Sequence, residues 1–181
     1  LPSNILLSAA ELEFNRPGRE FLLKSQISRI ELNYDYIIID TPPALNVLTL
    51  NAYVAADSLI IPMIPEILSL LGISQIQETI ETVRRCYNSR LEVLGILLNK
   101  YSPRITLNQE VLELSEQIAK QLNTRVFESK IRASVTVASA PAHGESVLTF
   151  APRSKPALDF EQLIDSVVAE PFATEALKIS L

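Results

Sequence analysis

The 181-residue chain carries 16 Lys and Arg against 21 Asp and Glu, a formal net charge of -5, with 48% hydrophobic and 20% charged residues. That balance belongs to a globular chain and excludes disorder over most of its length, while a pI near 5.0 excludes a surface that grips nucleic acid all round but leaves room for a local basic patch. The single cysteine, Cys86, rules out an internal disulfide or a cysteine-cluster metal site and fits a reducing compartment.

The length predicts one domain over residues 1–170 followed by a tail over 171–181. Ser8 and Glu11 have the spacing of a capping box, which predicts a helix from residue 9 that Pro17 and Gly18 break. Phe21, Leu22, Ile27 and Ile30 recur at helical spacing over 19–32. Ile37, Ile38 and Ile39 then predict a strand over 36–39, buried on both faces as in a parallel sheet. It ends on Asp40, followed by Thr41, Pro42 and Pro43. Ligands of open α/β sheets collect beyond the carboxyl ends of the strands, so Asp40 is either a functional carboxylate or a turn former or helix N-cap. The two prolines fix φ and remove donors, which stiffens the loop.

Further along, the pattern predicts a helix over 47–56, a strand over 59–64, and a helix over 68–87 with Ile73, Ile76, Ile80 and Val83 on one face. A strand over 91–98, a helix over 106–122, a short strand over 125–128 and a helix over 157–168 complete the alternation. Cys86 falls in the helical pattern, where packing is its expected role. Pro62, Pro65 and Glu66 interrupt the most apolar region, so no uncharged run has the length of a membrane span. Strands alternating with helices imply right-handed βαβ units and a three-layer α/β/α architecture with a mostly parallel sheet. The tail is expected to fray.

The stretch "YDYIIIDTPPALNVLTLNAYVAADSLIIP" resembles the Walker B region of the ParA/Soj/MinD family of deviant-Walker P-loop ATPases, most closely the chromosome and plasmid partition ATPases. The resemblance continues through "EILSLLGISQIQETI", "LEVLGILLNKY" and "APAHGESVLTFAPRSKPALDF". It implies that Asp40 organises Mg²⁺ through a bound water, since magnesium keeps much of its water and favours hard oxygen ligands. Thr41, Pro42 and Pro43 would belong to the loop that senses the γ-phosphate.

Asn99 matches the position where the family sets an amide against adenine, an amide offering both donor and acceptor; by its residue type alone it is equally a strand-end turn residue. Ile131 and Arg132 match the loop covering the other side of the base, with a departure: partition ATPases often show Ile-Pro-Arg-Asn where this chain has Ile131, Arg132, Ala133, Ser134. The lone His143 reads as a loop-ordering residue rather than a base. Glu66, Leu70, Gly72, Ser74 and Gln75 match a stretch near the nucleotide-dependent dimer interface, or are ordinary helix entry. Lys130, Arg132, Arg153 and Lys155 match the DNA-binding surface, or are a scatter of solvated cations. Thr136 stands where relatives often carry arginine.

A P-loop needs glycine-rich backbone and a lysine to cradle phosphates, and none of Gly18, Gly72, Gly95 and Gly144 is followed by Lys-Ser or Lys-Thr. The expectation is that a βα unit bearing the deviant Walker A motif precedes Leu1, and that these residues alone do not hydrolyse ATP. The resemblance implies, for the intact protein, ATP and Mg²⁺ as cofactors and a homodimer formed with ATP. It further implies non-specific DNA binding and hydrolysis stimulated by a ParB-like centromere-binding protein, in the cytoplasm at the nucleoid, with no membrane partner. Two alternatives remain: a MinD-like positioning ATPase, which needs a basic amphipathic helix that "EPFATEALKISL" with its one lysine does not offer, and a non-enzymatic interaction module. Iron-protein relatives would need a second cysteine to share a cluster.

Overall fold

The β-branched and apolar runs form strands and the periodic segments between them form helices. The computed structural model describes residues 17–30, 33–42, 44–169 and 177–180. In chain order these are α1 (Leu22–Ile27), β1 (Tyr36–Ile39), α2 (Val47–Ala55), β2 (Ser58–Met63), α3 (Ile67–Cys86), β3 (Glu92–Tyr101), α4 (Thr106–Gln121), β4 (Ile131–Arg132), α5 (Val135–Ser139), α6 (Val147–Phe150), α7 (Lys155–Val168) and β5 (Leu177–Ser180). The fold is α/β with a parallel sheet. Two units are distinguished by their contacts, one of residues 1–59, 75–92 and 173–181, the other of 60–74 and 93–172. Strands run β1-β5-β2 in the first and β2-β3-β4 in the second. The helix expected from residue 9 lies outside the described residues.

In the first unit, Gly18 at φ 82° opens a 3₁₀ turn, Arg19–Phe21, that leads into α1. The helix expected over 19–32 is shorter than its pattern. Ser25 and Ser28 hydroxyls donate back to the Leu22 and Ser25 carbonyls at 3.1 Å each, a local alternative to the helical ladder. Asn46 caps α2, its Oδ1 accepting from the Leu48 and Thr49 N–H groups at 3.0 and 3.2 Å, as an N-cap asparagine does. Asn51 on α2 is buried and ties three backbone segments together. It accepts from Leu23 N–H at 3.0 Å and donates to the Arg19 and Val47 carbonyls at 2.9 Å each. The far end of α2 is closed by Asn88, whose Nδ2 donates to the Ala56 and Tyr53 carbonyls at 2.7 and 3.2 Å. Ile27, Val54, Ile80 and Val83 are fully enclosed.

Three expectations are corrected here. Residues 177–180, expected in a fraying tail, form β5, which pairs in parallel with β1 from Tyr36↔Leu177 to Ile39↔Ser180 and with the start of β2 at Ser58↔Ile179 and Leu59↔Ser180. β1, expected to be buried on both faces, leaves Tyr36 39% and Ile38 58% exposed, because an apolar run records what a strand can bury and not what covers it. Cys86, expected to pack, is exposed at the last residue of α3.

The second unit is built on β3, where Ile96 and Leu98 are completely buried. Gly95 is required by a close approach: a Cβ there would lie 2.6 Å from Phe127 Cε2 and 3.1 Å from the Arg125 carbonyl oxygen. The strand expected over 125–128 is reduced to one bridge, Ile96↔Val126, made by Ile96 N–H to Arg125 O at 2.9 Å and Phe127 N–H to Ile96 O at 3.0 Å. Parallel pairing resumes at β4, beside the end of β3, with a shift of register between Asn99 and Tyr101. Ser154 caps α7 through Ala157 N–H at 3.3 Å, and Pro156 sits in its first turn, where a missing N–H costs nothing.

Candidate functional site

In the first unit Asp40 is exposed at the carboxyl end of β1, with Thr41 half-buried and Pro42 exposed; Pro43 lies outside the described residues. The loop is tethered to the first turn of α2. Thr49, a buried residue, donates its hydroxyl to Ala44 O at 2.7 Å, with Pro42 O at 3.5 Å. Among the described residues no three His, Cys, Asp or Glu side chains gather as a metal cage. A lone exposed carboxylate suits a hard cation that keeps most of its waters. A cavity of about 380 Å³ opens beside the start of α2, lined by residues including Arg19, Leu45, Asn46 and Thr79 and not by Asp40.

In the second unit the structure brings together Asn99 and Ile131, which pair across β3 and β4, followed by Tyr101 and Arg132 after a register shift. Lys100, between the two rungs, takes a left-handed φ of 54°. Asn99 Oδ1 accepts from the Lys100 N–H at 2.9 Å, which commits the amide oxygen to the backbone and keeps the amide nitrogen as a donor. Both features match a strand-end turn residue, and neither removes the side chain's capacity to read a base edge.

Arg132 is engaged. Its Nε and Nη2 donate to Asp159 Oδ2 and Oδ1 at 2.6 Å each, and its backbone N–H donates to Oδ2 at 3.2 Å. The Asp159 side chain is 7% exposed and that of Arg132 45%. Burial pushes the Asp159 carboxyl up, but hydrogen bonds and charge from Arg132 outweigh it and hold the carboxyl below its usual range. The same hydrogen bond raises the Arg132 guanidinium above its ordinary value.

The other cations of this unit differ in freedom. Lys130 donates to Glu128 O at 3.1 Å and lies 5.9 Å over the Tyr101 ring, whereas Arg153 and Lys155 are exposed beside the start of α7. His143 stacks on Phe150 with centroids 4.9 Å apart, consistent with loop ordering. Glu66 is exposed and Leu70 half-buried, next to the strongly exposed Ile67, Leu68 and Leu71 at the start of α3. Sequence reasoning missed Asn46, Thr49 and Asp159. An asparagine just ahead of an apolar helix was a readable N-cap signal; Asp159 carried none, because its partner is 27 residues away.

Asp40 in the first unit and Asn99 in the second each lie toward the carboxyl end of a parallel strand, the edge at which the class of open α/β sheets binds its ligands. The family model for an AAA domain matches residues 1–93. The chain is 36% identical over 170 residues to the sporulation initiation inhibitor protein Soj of Bacillus subtilis, covering 93% of this chain and 66% of Soj. It is 35% identical over 153 residues to the chromosome partitioning protein ParA of Caulobacter vibrioides, covering 83% and 56%.

Among solved structures, apo McdA of Cyanothece superposes with a TM-score of 0.81 at 21% identity, over 92% of this chain and 66% of that one. Cobyrinic acid a,c-diamide synthase of Mycobacterium smegmatis, solved with ADP and magnesium, gives 0.75 at 31% identity, over 93% and 60%. The chain belongs to the ParA/Soj/MinD family of P-loop ATPases. It spans between about half and two thirds of the length of these relatives. No described helix is long and apolar enough to cross a membrane.

Proposed function

We propose that the intact protein is a partition ATPase of the ParA type. It binds ATP and Mg²⁺, dimerises with nucleotide, holds DNA without sequence preference at the nucleoid, and hydrolyses ATP when a ParB-like partner stimulates it. The observation that carries this reading is the pairing of Asn99 with Ile131, which sets side by side two residues that the family resemblance assigns independently to the base. Asp40, exposed at its strand end, is assigned the water shell of the metal, and Thr49 holds the following loop to α2.

When bound, magnesium would neutralise phosphate charge in transfer to water. This chain's residues supply position: Asp40 an acceptor for metal-bound water and Asn99 a donor to a base edge, while the enclosed Ile131 anchors β4 beside Asn99. Arg153 and Lys155 supply phosphate contacts to DNA, which need charge rather than base readout. Arg132 contributes less to either ligand than its position suggests, because its charge is paired with Asp159.

The test is ATP binding and DNA-stimulated hydrolysis by the full-length protein, with Asp40→Ala and residues 1–181 alone as controls. Hydrolysis confined to the full-length wild type, with Asp40→Ala down by about a hundredfold or more, supports the reading. Absence of nucleotide binding by the full-length protein replaces it with a non-enzymatic interaction module.

A further inference from the structure

β4 has two residues, far below the length at which a strand is stable by its own pairing. Yet Ile131 is 1% exposed and sits in register with Asn99. Burial fixes Ile131; something else must hold the exposed second residue of β4. That residue, Arg132, is held by three hydrogen bonds to one carboxylate, that of Asp159 on α7. One of these comes from the Arg132 backbone N–H, so Asp159 positions the main chain of β4 and not merely a side chain. The fork of two guanidinium bonds fixes direction as well as distance, and the low exposure of the carboxylate makes the arrangement costly to leave half-made.

We propose that Asp159, acting through Arg132, is a positioning residue for base recognition: it sets the main chain of β4 beside Asn99, the side chain assigned to the base, and so the preference for adenine over other bases. Asp159 touches no base itself. The inference rests on the nucleotide-binding reading above and adds to it a determinant on α7 that neither the sequence nor the comparisons assign.

The experiment uses the full-length protein and measures equilibrium binding of ATP and GTP, together with amide hydrogen exchange at Ile131 and Arg132, for wild type, Asp159→Ala, Asp159→Asn and Arg132→Lys. The proposal expects faster exchange at both amides in Asp159→Ala and a loss of about tenfold in the ratio of ATP to GTP affinity, the equivalent of one hydrogen bond's net contribution. Arg132→Lys keeps the charge but cannot span both oxygens, so it should fold and lose selectivity to an intermediate degree. If Asp159→Ala does not fold, Asp159→Asn and Arg132→Lys carry the test. Folded variants with an unchanged ATP to GTP ratio, or with both affinities reduced equally, overturn the proposal. A wild type that binds neither nucleotide sinks the functional reading instead, and the exchange data then report on the fold alone.

Discussion

In β3 the residues from Val93 to Leu98 are all enclosed, whereas in β1 Tyr36 and Ile38 face outward, Ile38 with 58% of its surface exposed. Both are apolar runs in a parallel sheet. β3 is covered in its own unit by Phe127 and the chain around it, while β1 is paired along its length by β5 and left open on a face. Pairing satisfies backbone donors and acceptors; it does nothing for the side chains, which need a second layer. The difference is therefore one of packing and not of secondary structure, and it can be measured.

The largest expected effect is in β3. Ile96→Ala should destabilise the 181-residue chain by about 2–5 kcal/mol in urea unfolding, the range for deleting a fully buried branched side chain, while Ile38→Ala should cost under about 1 kcal/mol. Equal losses would show that Ile38 is as well packed as Ile96 and would remove the contrast. Repeating the pair in the full-length protein sharpens it, because a rise in the Ile38→Ala cost there measures directly how much apolar cover β1 gains.

This contrast also marks what the sequence could reveal. Strand and helix identity was legible because apolar periodicity is a local property: α4 and α7 begin within two residues of where their patterns place them. The exposure of Ile38 and the pairing of β5 were not legible, since neither is encoded near the residues concerned. The place of Asp40 and Asn99 just beyond apolar runs was legible for the same local reason, whereas Ile131 and Arg132, expected in a loop, form β4. The engagement of Arg132 was hidden, because nothing in "KIRAS" announces a carboxylate far along the chain.

Away from β1, the first unit is tied together by a buried amide on α2. Asn51→Ala removes the acceptor for Leu23 N–H and the donors to Arg19 and Val47 carbonyls, and should cost about 1–3 kcal/mol by leaving those groups without their partner. A loss below about 0.5 kcal/mol would mean that water replaces the amide there.

The second unit contains the corresponding charged tie, and its signature is pH dependence. Since the folded-state pKa of Asp159 is lowered, its contribution is fully present above the ordinary carboxylate range, near pH 4. It is lost as pH falls through the folded value. Urea midpoints of wild type and Asp159→Asn should therefore differ most at neutral pH and converge on acidification below about pH 4. Parallel profiles across that window would show that Asp159 is not the titrating group.

The smallest expected effect, and a gain, is at Gly72 in α3. Among the described residues, leaving aside its own stretch of helix, no heavy atom lies within 4 Å of the position its Cβ would take, the opposite of Gly95, and a glycine inside a helix sacrifices about 0.5–1 kcal/mol relative to alanine. Gly72→Ala should stabilise the isolated chain by that amount in urea unfolding. Nothing among the described residues requires the missing side chain, so a requirement set by a surface beyond them becomes testable. Measuring the proposed nucleotide-dependent dimerisation in full-length wild type and Gly72→Ala separates the cases: if wild type dimerises, a more stable variant that dimerises equally marks the glycine as incidental, whereas a more stable variant that does not places a partner backbone against this turn of α3, beside the exposed Leu68 and Leu71.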